Sequence, residues 1–80
     1  MLPEEIRMLI ESGLDCDEVQ VNGDGRHFDA VVVCAAFEGK PTLLRHRMVY
    51  TTLGDRFDTD ALHALSLKTY TPGQWRELAS

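Results

Sequence analysis

Residues 63–75 of the chain read HALSLKTYTPGQW. In this stretch Leu65 and Leu67 alternate with polar residues, and a period of two is typical of a strand with one buried face. His63 stands immediately before the predicted strand. The stretch therefore places one of the chain's histidines at the beginning of an apolar strand.

A helix-start signal follows this strand. Thr71 can act as the N-cap, and Pro72 suits the first helical position. The Gln74 amide can reach back to the Thr71 backbone N–H, which completes the pattern of a capping box. We expect a short terminal helix with Trp75 directed back toward the body of the domain.

Two further strands are predicted upstream. Residues 18–22 alternate like a strand, Gly-Asp-Gly at residues 23–25 supplies a turn, and residues 28–37 form a Val-rich apolar run. The two strands should form a hairpin. Because residues 28–37 are apolar at nearly every position, both faces of this strand should be at least partly covered, which predicts the central strand.

Helices are predicted on either side of the hairpin. Pro3, an acidic first turn and apolar residues at helical spacing predict a first helix that ends at Gly13 and covers one side of the sheet. A second helix is expected after Pro41, and a short third one near residues 58–62. In the second helix we expect one apolar stripe that also contains His46: Leu43, Val49, Tyr50, Leu53 and Phe57. Two other residues should lie on the opposite side, either under the terminal helix or in a small exposed patch: Leu44 and Met48.

The element order predicts the fold class. Residues 1–80 should form a single α/β domain with the order αββααβ(α), a three-stranded mixed sheet and helices packed mainly on one face. The connection between the second and third strands passes through helices, and such crossovers join parallel strands. The second and third strands should therefore begin at the same edge of the sheet.

That topology would bring two histidines together. His27 opens the second strand and His63 opens the third, so adjacent parallel strands would place both imidazoles at one edge. Two neutral imidazoles can bind a metal but do not complete a tetrahedral site, so a partner would have to supply the other ligands. On spacing alone, the simpler alternative is that His27 is a solvated loop residue and His63 caps a helix end. For His46, a core residue with one satisfied N–H is a better interpretation than a ligand.

Composition limits the classes of function. The net charge of −5 and the pI of about 4.9 weigh against binding to nucleic-acid phosphates, although a local basic patch would still allow it. Cys16 and Cys34 lack the spacing of a zinc site and are expected to be two unpaired thiols. No leader pattern and no apolar run of membrane-spanning length is visible, so we expect a cytoplasmic protein without a membrane partner. No pattern of nucleophile and base points to an enzyme, and Gly-Asp-Gly lacks the third glycine and following helix of a nucleotide loop.

Three motifs resemble the BolA family, and its histidine-type, IbaG-like subgroup in particular. They are GDGRHF at residues 23–28, FEGK at 37–40 leading to RHRMV at 45–49, and HALSLKTYTPGQW at 63–75. The resemblance implies a class II KH-like fold. It also implies pairing with a monothiol glutaredoxin that carries a CGFS active site, with a [2Fe-2S] cluster shared by the two proteins.

The resemblance further implies which groups hold the cluster. His63 matches the family's C-terminal histidine ligand and His27 matches the hairpin ligand of the histidine-type subgroup, while the glutaredoxin thiolate and glutathione complete the set. No cofactor is expected in the isolated chain, and a homodimer of the free protein stays open. Because a ligating imidazole must be deprotonated, cluster retention should depend on pH. The implied role is an adaptor in iron-sulfur trafficking or in iron, redox or stress regulation.

The competing hypothesis is a DNA-binding regulator, since some BolA proteins are similar to such regulators. Arg45, Arg47 and Lys68 are the candidate contacts for nucleic acid. The acidic pI and the missing GxxG clamp of KH domains count against this alternative.

Overall fold

The structure, a computed structural model, describes residues 2–54 and 64–79. Within these two ranges it contains three α-helices and three strands, joined in part by a short 3-10 turn at Ala35–Phe37. The elements are α1 (Pro3–Gly13), β1 (Cys16–Gly23), β2 (Phe28–Cys34), α2 (Thr42–Leu53), β3 (Leu65–Tyr70) and α3 (Pro72–Ala79). Their order agrees with the prediction, while the short helix predicted near residues 58–62 lies outside the described residues.

The strands form one mixed sheet in the order β1-β2-β3. β1 and β2 are antiparallel, and β2 and β3 are parallel. Phe28, the first residue of β2, lies opposite Gly23 of β1 and Leu65 of β3. The predicted hairpin, the central position of β2 and the parallel crossover are therefore confirmed.

The second strand is shorter than predicted. β2 ends at Cys34, and the residues Ala35–Phe37 turn into a 3-10 helix in which Phe37 is fully buried. An apolar run reports burial but does not distinguish a strand from a buried turn, and this is why the predicted end at Phe37 was wrong. Cys34 is consequently the last residue of the strand rather than an interior one.

The main core lies between one face of the sheet and the helices α1 and α2. Alternate residues of β2 from Phe28 to Cys34 point into it, together with residues from both neighbouring strands. Full burial of a large apolar side chain such as Phe28 or Val32 stabilises the fold by roughly 1.5–3 kcal/mol. The core comprises Ile6, Ile10, Val19, Phe28, Ala30, Val32, Cys34, Phe37, Val49, Leu53 and Leu65. The prediction that the helices pack mainly on one face is therefore confirmed.

The predicted apolar stripe of α2 is only partly correct. Val49 and Leu53 are buried, but Leu43 is 64% exposed and Met48, predicted on the opposite side, packs against the core. At 3.6 residues per turn, Leu43 lies roughly 120° around the helix from Val49 and so falls outside the buried arc. Arg45, one turn before Val49, falls inside it.

The capping box of α3 is present as predicted. The Thr71 backbone N–H donates to Gln74 Oε1 at 2.9 Å, and the Gln74 backbone N–H donates to Thr71 Oγ1 at 3.2 Å. Thr71 is buried, and the ring of Trp75 lies 5.5 Å from that of Tyr70, the last residue of β3. These contacts fix the start of α3 against the end of the sheet.

Candidate metal centre

His27 is presented by a turn that Asp24 closes. One carboxylate oxygen of Asp24 accepts hydrogen bonds from the backbone N–H groups of Arg26 and His27, both at 2.9 Å. The Asp24 backbone N–H donates to the His27 carbonyl oxygen at 3.2 Å, and Gly25 adopts φ +95°, where other residues are strained. The His27 side chain is exposed, so the turn holds its backbone while leaving the imidazole accessible.

The hydrogen bonds of this turn alter the acidity of Asp24. Its pKa is lowered, chiefly by the backbone N–H of His27 and next by that of Arg26, because both bonds favour the ionised carboxylate. The ionised form of Asp24 therefore stabilises the turn. From the sequence, Asp24 was predicted only as a residue that favours a turn, and its two hydrogen bonds to backbone N–H groups were not predicted.

The residue after His27 anchors the turn to β3. The Phe28 backbone N–H donates to the Ala64 carbonyl oxygen at 2.8 Å, and the first residues of the two strands, Phe28 and Leu65, are register partners. Both strands thus begin at the same edge of the sheet, as the crossover argument predicted. His63 precedes Ala64 in the sequence but lies outside the described residues, so the meeting of the two imidazoles stays a prediction.

Gly23 makes a contribution that the sequence analysis missed. A Cβ atom at this position would lie 2.4 Å from the Phe28 ring and 2.7 Å from the His27 carbonyl oxygen. Glycine is therefore needed at this position for close packing, because a Cβ atom would displace the Phe28 ring or the backbone of His27. The position of Gly23 at the end of a strand, directly before Asp24 and Gly25, is the sequence feature that could have indicated this packing role.

The donor set at this edge is incomplete within the part of the chain that the structure describes. No group of three or more His, Cys, Asp or Glu side chains could hold a metal ion among these residues. His46 is half-buried on α2 and is not one of the buried core residues, and its ring packs edge-on against Tyr50 at a centroid distance of 6.3 Å. Among the described residues, the exposed imidazole near this edge is that of His27.

Arg45 is half-buried, and its guanidinium makes several contacts within the fold. Its Nε donates to the Lys40 carbonyl oxygen at 2.8 Å, and one terminal nitrogen donates to Gln74 Oε1 at 3.0 Å and to the Thr69 carbonyl oxygen at 3.5 Å. The guanidinium also lies 5.8 Å from the centre of the Phe37 ring. These contacts join α2 to β3 and α3 and give Arg45 a structural role.

The other two candidate basic residues do not form a patch with Arg45. Arg47 is exposed on α2, two positions away, and residues two apart on a helix do not share a face. Lys68 is exposed on β3, next to the core-facing Leu67, so it points to the sheet face that α2 does not cover. The predicted nucleic-acid residues are therefore dispersed over different layers.

Within the described ranges, no helix is long and apolar enough to cross a membrane.

Known proteins resemble this chain along most of its length. A family model described as "BolA-like protein" matches residues 1–74. The chain is 35% identical over 71 residues to the acid stress protein IbaG of Escherichia coli, covering 89% of this chain and 84% of that protein. It is 45% identical over 56 residues to the DNA-binding transcriptional regulator BolA of the same bacterium, covering 70% of this chain and 52% of that protein.

Solved structures agree with these sequence matches. A BolA homologue from Coxiella burnetii superposes with a TM-score of 0.82 at 48% identity, covering 95% of this chain and 97% of that one. BolA1 from Arabidopsis thaliana superposes with a TM-score of 0.75 at 32% identity, covering 90% and 93% of the two chains. The family model, the relatives and the fold lead to one conclusion: the chain belongs to the BolA family.

Proposed function

We propose that the protein is a non-catalytic adaptor that pairs with a monothiol CGFS glutaredoxin and shares a [2Fe-2S] cluster with it. His27 and His63 would ligate one iron, and the glutaredoxin thiolate with its glutathione would ligate the other. The observation that carries the proposal is the common start of β2 and β3, with Phe28 bonded to Ala64 and His27 exposed beside it.

The described residues fit a shared cluster in two respects. The turn at Asp24 fixes the backbone of His27 while the imidazole faces solvent, where a second protein can approach. The sequence places His63 directly before Ala64, whose carbonyl oxygen binds the first residue of β2. An iron-sulfur centre tolerates two imidazoles in place of two thiolates on one iron, which raises the reduction potential.

An adaptor also fits the chemistry of the rest of the chain. Two imidazoles leave half of a cluster's ligands to another molecule, so the cluster would bind only in the complex. The free thiols of Cys16 and Cys34 are compatible with the reducing cytoplasm that we expect as the location. The similarity to an acid stress protein favours a role in the stress response.

Co-expression with a CGFS glutaredoxin tests the proposal. The purified pair should show the visible absorbance of a [2Fe-2S] cluster, and His63→Ala should abolish this absorbance while the apo complex still forms. His27→Ala should have the same effect. His46→Ala is the matched control, since His46 packs against Tyr50 on α2, and it should leave the cluster in place. Unchanged absorbance in the His63→Ala and His27→Ala complexes would refute the proposed ligands.

DNA binding is the second candidate function, favoured by the similarity to the transcriptional regulator BolA. The internal contacts of Arg45 leave Arg47 and Lys68 as the basic residues available from the predicted set. A salt titration of duplex binding separates the two functions, because phosphate contacts make affinity fall steeply with salt. Affinity that is absent, or flat with salt, removes this candidate.

A further inference from the structure

The two cysteines of the chain are brought together by an irregularity in β1. Along β1 the register runs Val19 opposite Val32 and Glu18 opposite Val33, and then skips Asp17 so that Cys16 lies opposite Cys34. Such a bulge inserts one extra residue and reverses which face the following side chain takes. Without it, strict alternation from Val19 would turn Cys16 away from the core face on which Cys34 lies.

Both sulfur atoms therefore lie on the same side of the sheet. Cys34 is fully buried in the core, and Cys16 is half-buried and packs against that core. The Cys34 thiol donates to the carbonyl oxygen of Asp15 at 3.3 Å, which places its sulfur next to the peptide bond that leads into Cys16. Cys16 and Cys34 are register partners beyond the bulge, and in a regular antiparallel ladder opposed Cα atoms lie roughly 4.5–5.5 Å apart, within the range that a disulfide spans.

The protonation state of the Cys16 thiol affects how fast Cys16 can react as a nucleophile. The pKa of its thiol is raised to about 12, first by burial, then by a hydrogen bond with Cys34 and by the negative charges of Asp15 and Asp17. Because the thiolate is the nucleophile, Cys16 should react slowly at neutral pH and faster as the pH rises. Both thiols are free in the structure.

We infer that Cys16 and Cys34 form a built-in redox site, at which a low-molecular-weight disulfide converts the two opposed thiols into a cross-strand disulfide that joins β1 to the end of β2. The site lies on the helix-covered face and at the end of β2 away from His27. It is therefore independent of the proposed cluster site.

The reaction proceeds by two exchanges. The Cys16 thiolate attacks one sulfur of the small disulfide, which breaks its S–S bond and releases one small thiol. The Cys34 sulfur then attacks the Cys16 sulfur of the mixed disulfide, forms the protein disulfide and releases the second small thiol. The cysteine pair is oxidised by two electrons, the small disulfide is reduced, and the two thiol protons leave with the products.

The exposure of the two sulfurs predicts the order of these events. Cys16 is partly accessible to a reagent, whereas Cys34 is fully buried and can react only with a sulfur that is already beside it. The disulfide closes the loop of residues 16–34, and constraining the unfolded chain in this way should raise the melting temperature by on the order of 10 °C.

The test treats the full chain, natively folded, with oxidised glutathione at pH 9 and follows the products by intact mass and peptide mapping. The wild-type chain should lose the mass of two hydrogen atoms, yield a peptide linked through Cys16 and Cys34, and melt at a higher temperature than the reduced form. The rate should rise roughly tenfold per pH unit below the Cys16 pKa.

Two variants show which sulfur does what. Cys34→Ala should stop at a mixed disulfide of glutathione with Cys16, because no second thiol is present to release it. Cys16→Ser should stay unmodified, because Cys34 is shielded by the core. The inference would be overturned by a wild-type product that keeps glutathione, that links two chains or that melts no higher than the reduced form. An unreacted wild-type chain would also overturn it.

Discussion

The backbone that carries His27 is held by contacts with neighbouring residues of the turn. Asp24 binds the backbone N–H groups of Arg26 and His27, and Gly23 leaves the space in which the Phe28 ring packs. These contacts of Asp24 and Gly23 hold the backbone of the turn and do not involve the His27 imidazole ring. At this scale the sequence identified His27 and the turn. It did not predict the carboxylate contacts, because Asp-Gly is typical of many turns that carry no candidate ligand.

Replacing Asp24 should loosen the turn. Asp24→Ala removes the acceptor of two amide hydrogen bonds, so the backbone amides of Arg26 and His27 should exchange with solvent faster. Because the pKa of Asp24 is lowered in the fold, its stabilisation is present above the ordinary carboxyl pKa and is lost as the pH falls through the lowered one. Amide hydrogen exchange measured by NMR checks this.

Two other variants define the cause. Asp24→Asn keeps an acceptor oxygen and should retain most of the protection of both amides, without the dependence on acid pH. Asp29→Ala changes an exposed carboxylate on β2 and should leave the turn unaffected. If the exchange of the two amides is the same in Asp24→Ala as in the wild type, the carboxylate does not order the turn.

At the scale of elements, the sequence predicted the strands, the hairpin and the capped helix α3 because their signals are local. The Thr71 and Gln74 pair was visible at the correct spacing, and the apolar run from Phe28 indicated the central strand. The end of β2 and the orientation of α2 depended on contacts between distant segments. The inward position of Arg45 and the bulge that turns Cys16 toward Cys34 both belong to this second class.

Arg45 should be needed for the packing of α2 against α3. Arg45→Lys keeps the charge but loses the planar fork of N–H donors that bonds Lys40, Thr69 and Gln74 together. We expect a loss of about 1–3 kcal/mol in the free energy of unfolding, measured by urea denaturation.

Arg47→Lys provides the matched control for this prediction. Arg47 is exposed on the same helix, and surface substitutions of this kind usually change stability by less than about 0.5 kcal/mol. Equal stability of the two variants would mean that the internal contacts of Arg45 contribute little.

At the scale of the whole molecule, the two faces of the sheet have different surroundings. One face is covered by α1 and α2, while the other presents exposed Glu18, Asp29 and Lys68 from its three strands. Neither the net charge of −5 nor this mixed face favours a phosphate backbone. The end of the sheet at which β2 and β3 begin carries the exposed His27, and the proposed function places the cluster there.

The central claim is that histidine nitrogens of this chain bind iron in a complex with a glutaredoxin. Electron-nuclear double resonance on the reduced cluster tests it, with isotopically labelled histidine in this chain alone. The account predicts hyperfine couplings from two labelled nitrogens in the wild-type complex, one from His27 and one from His63. A cluster that forms in the complex without coupling to a labelled nitrogen would contradict it.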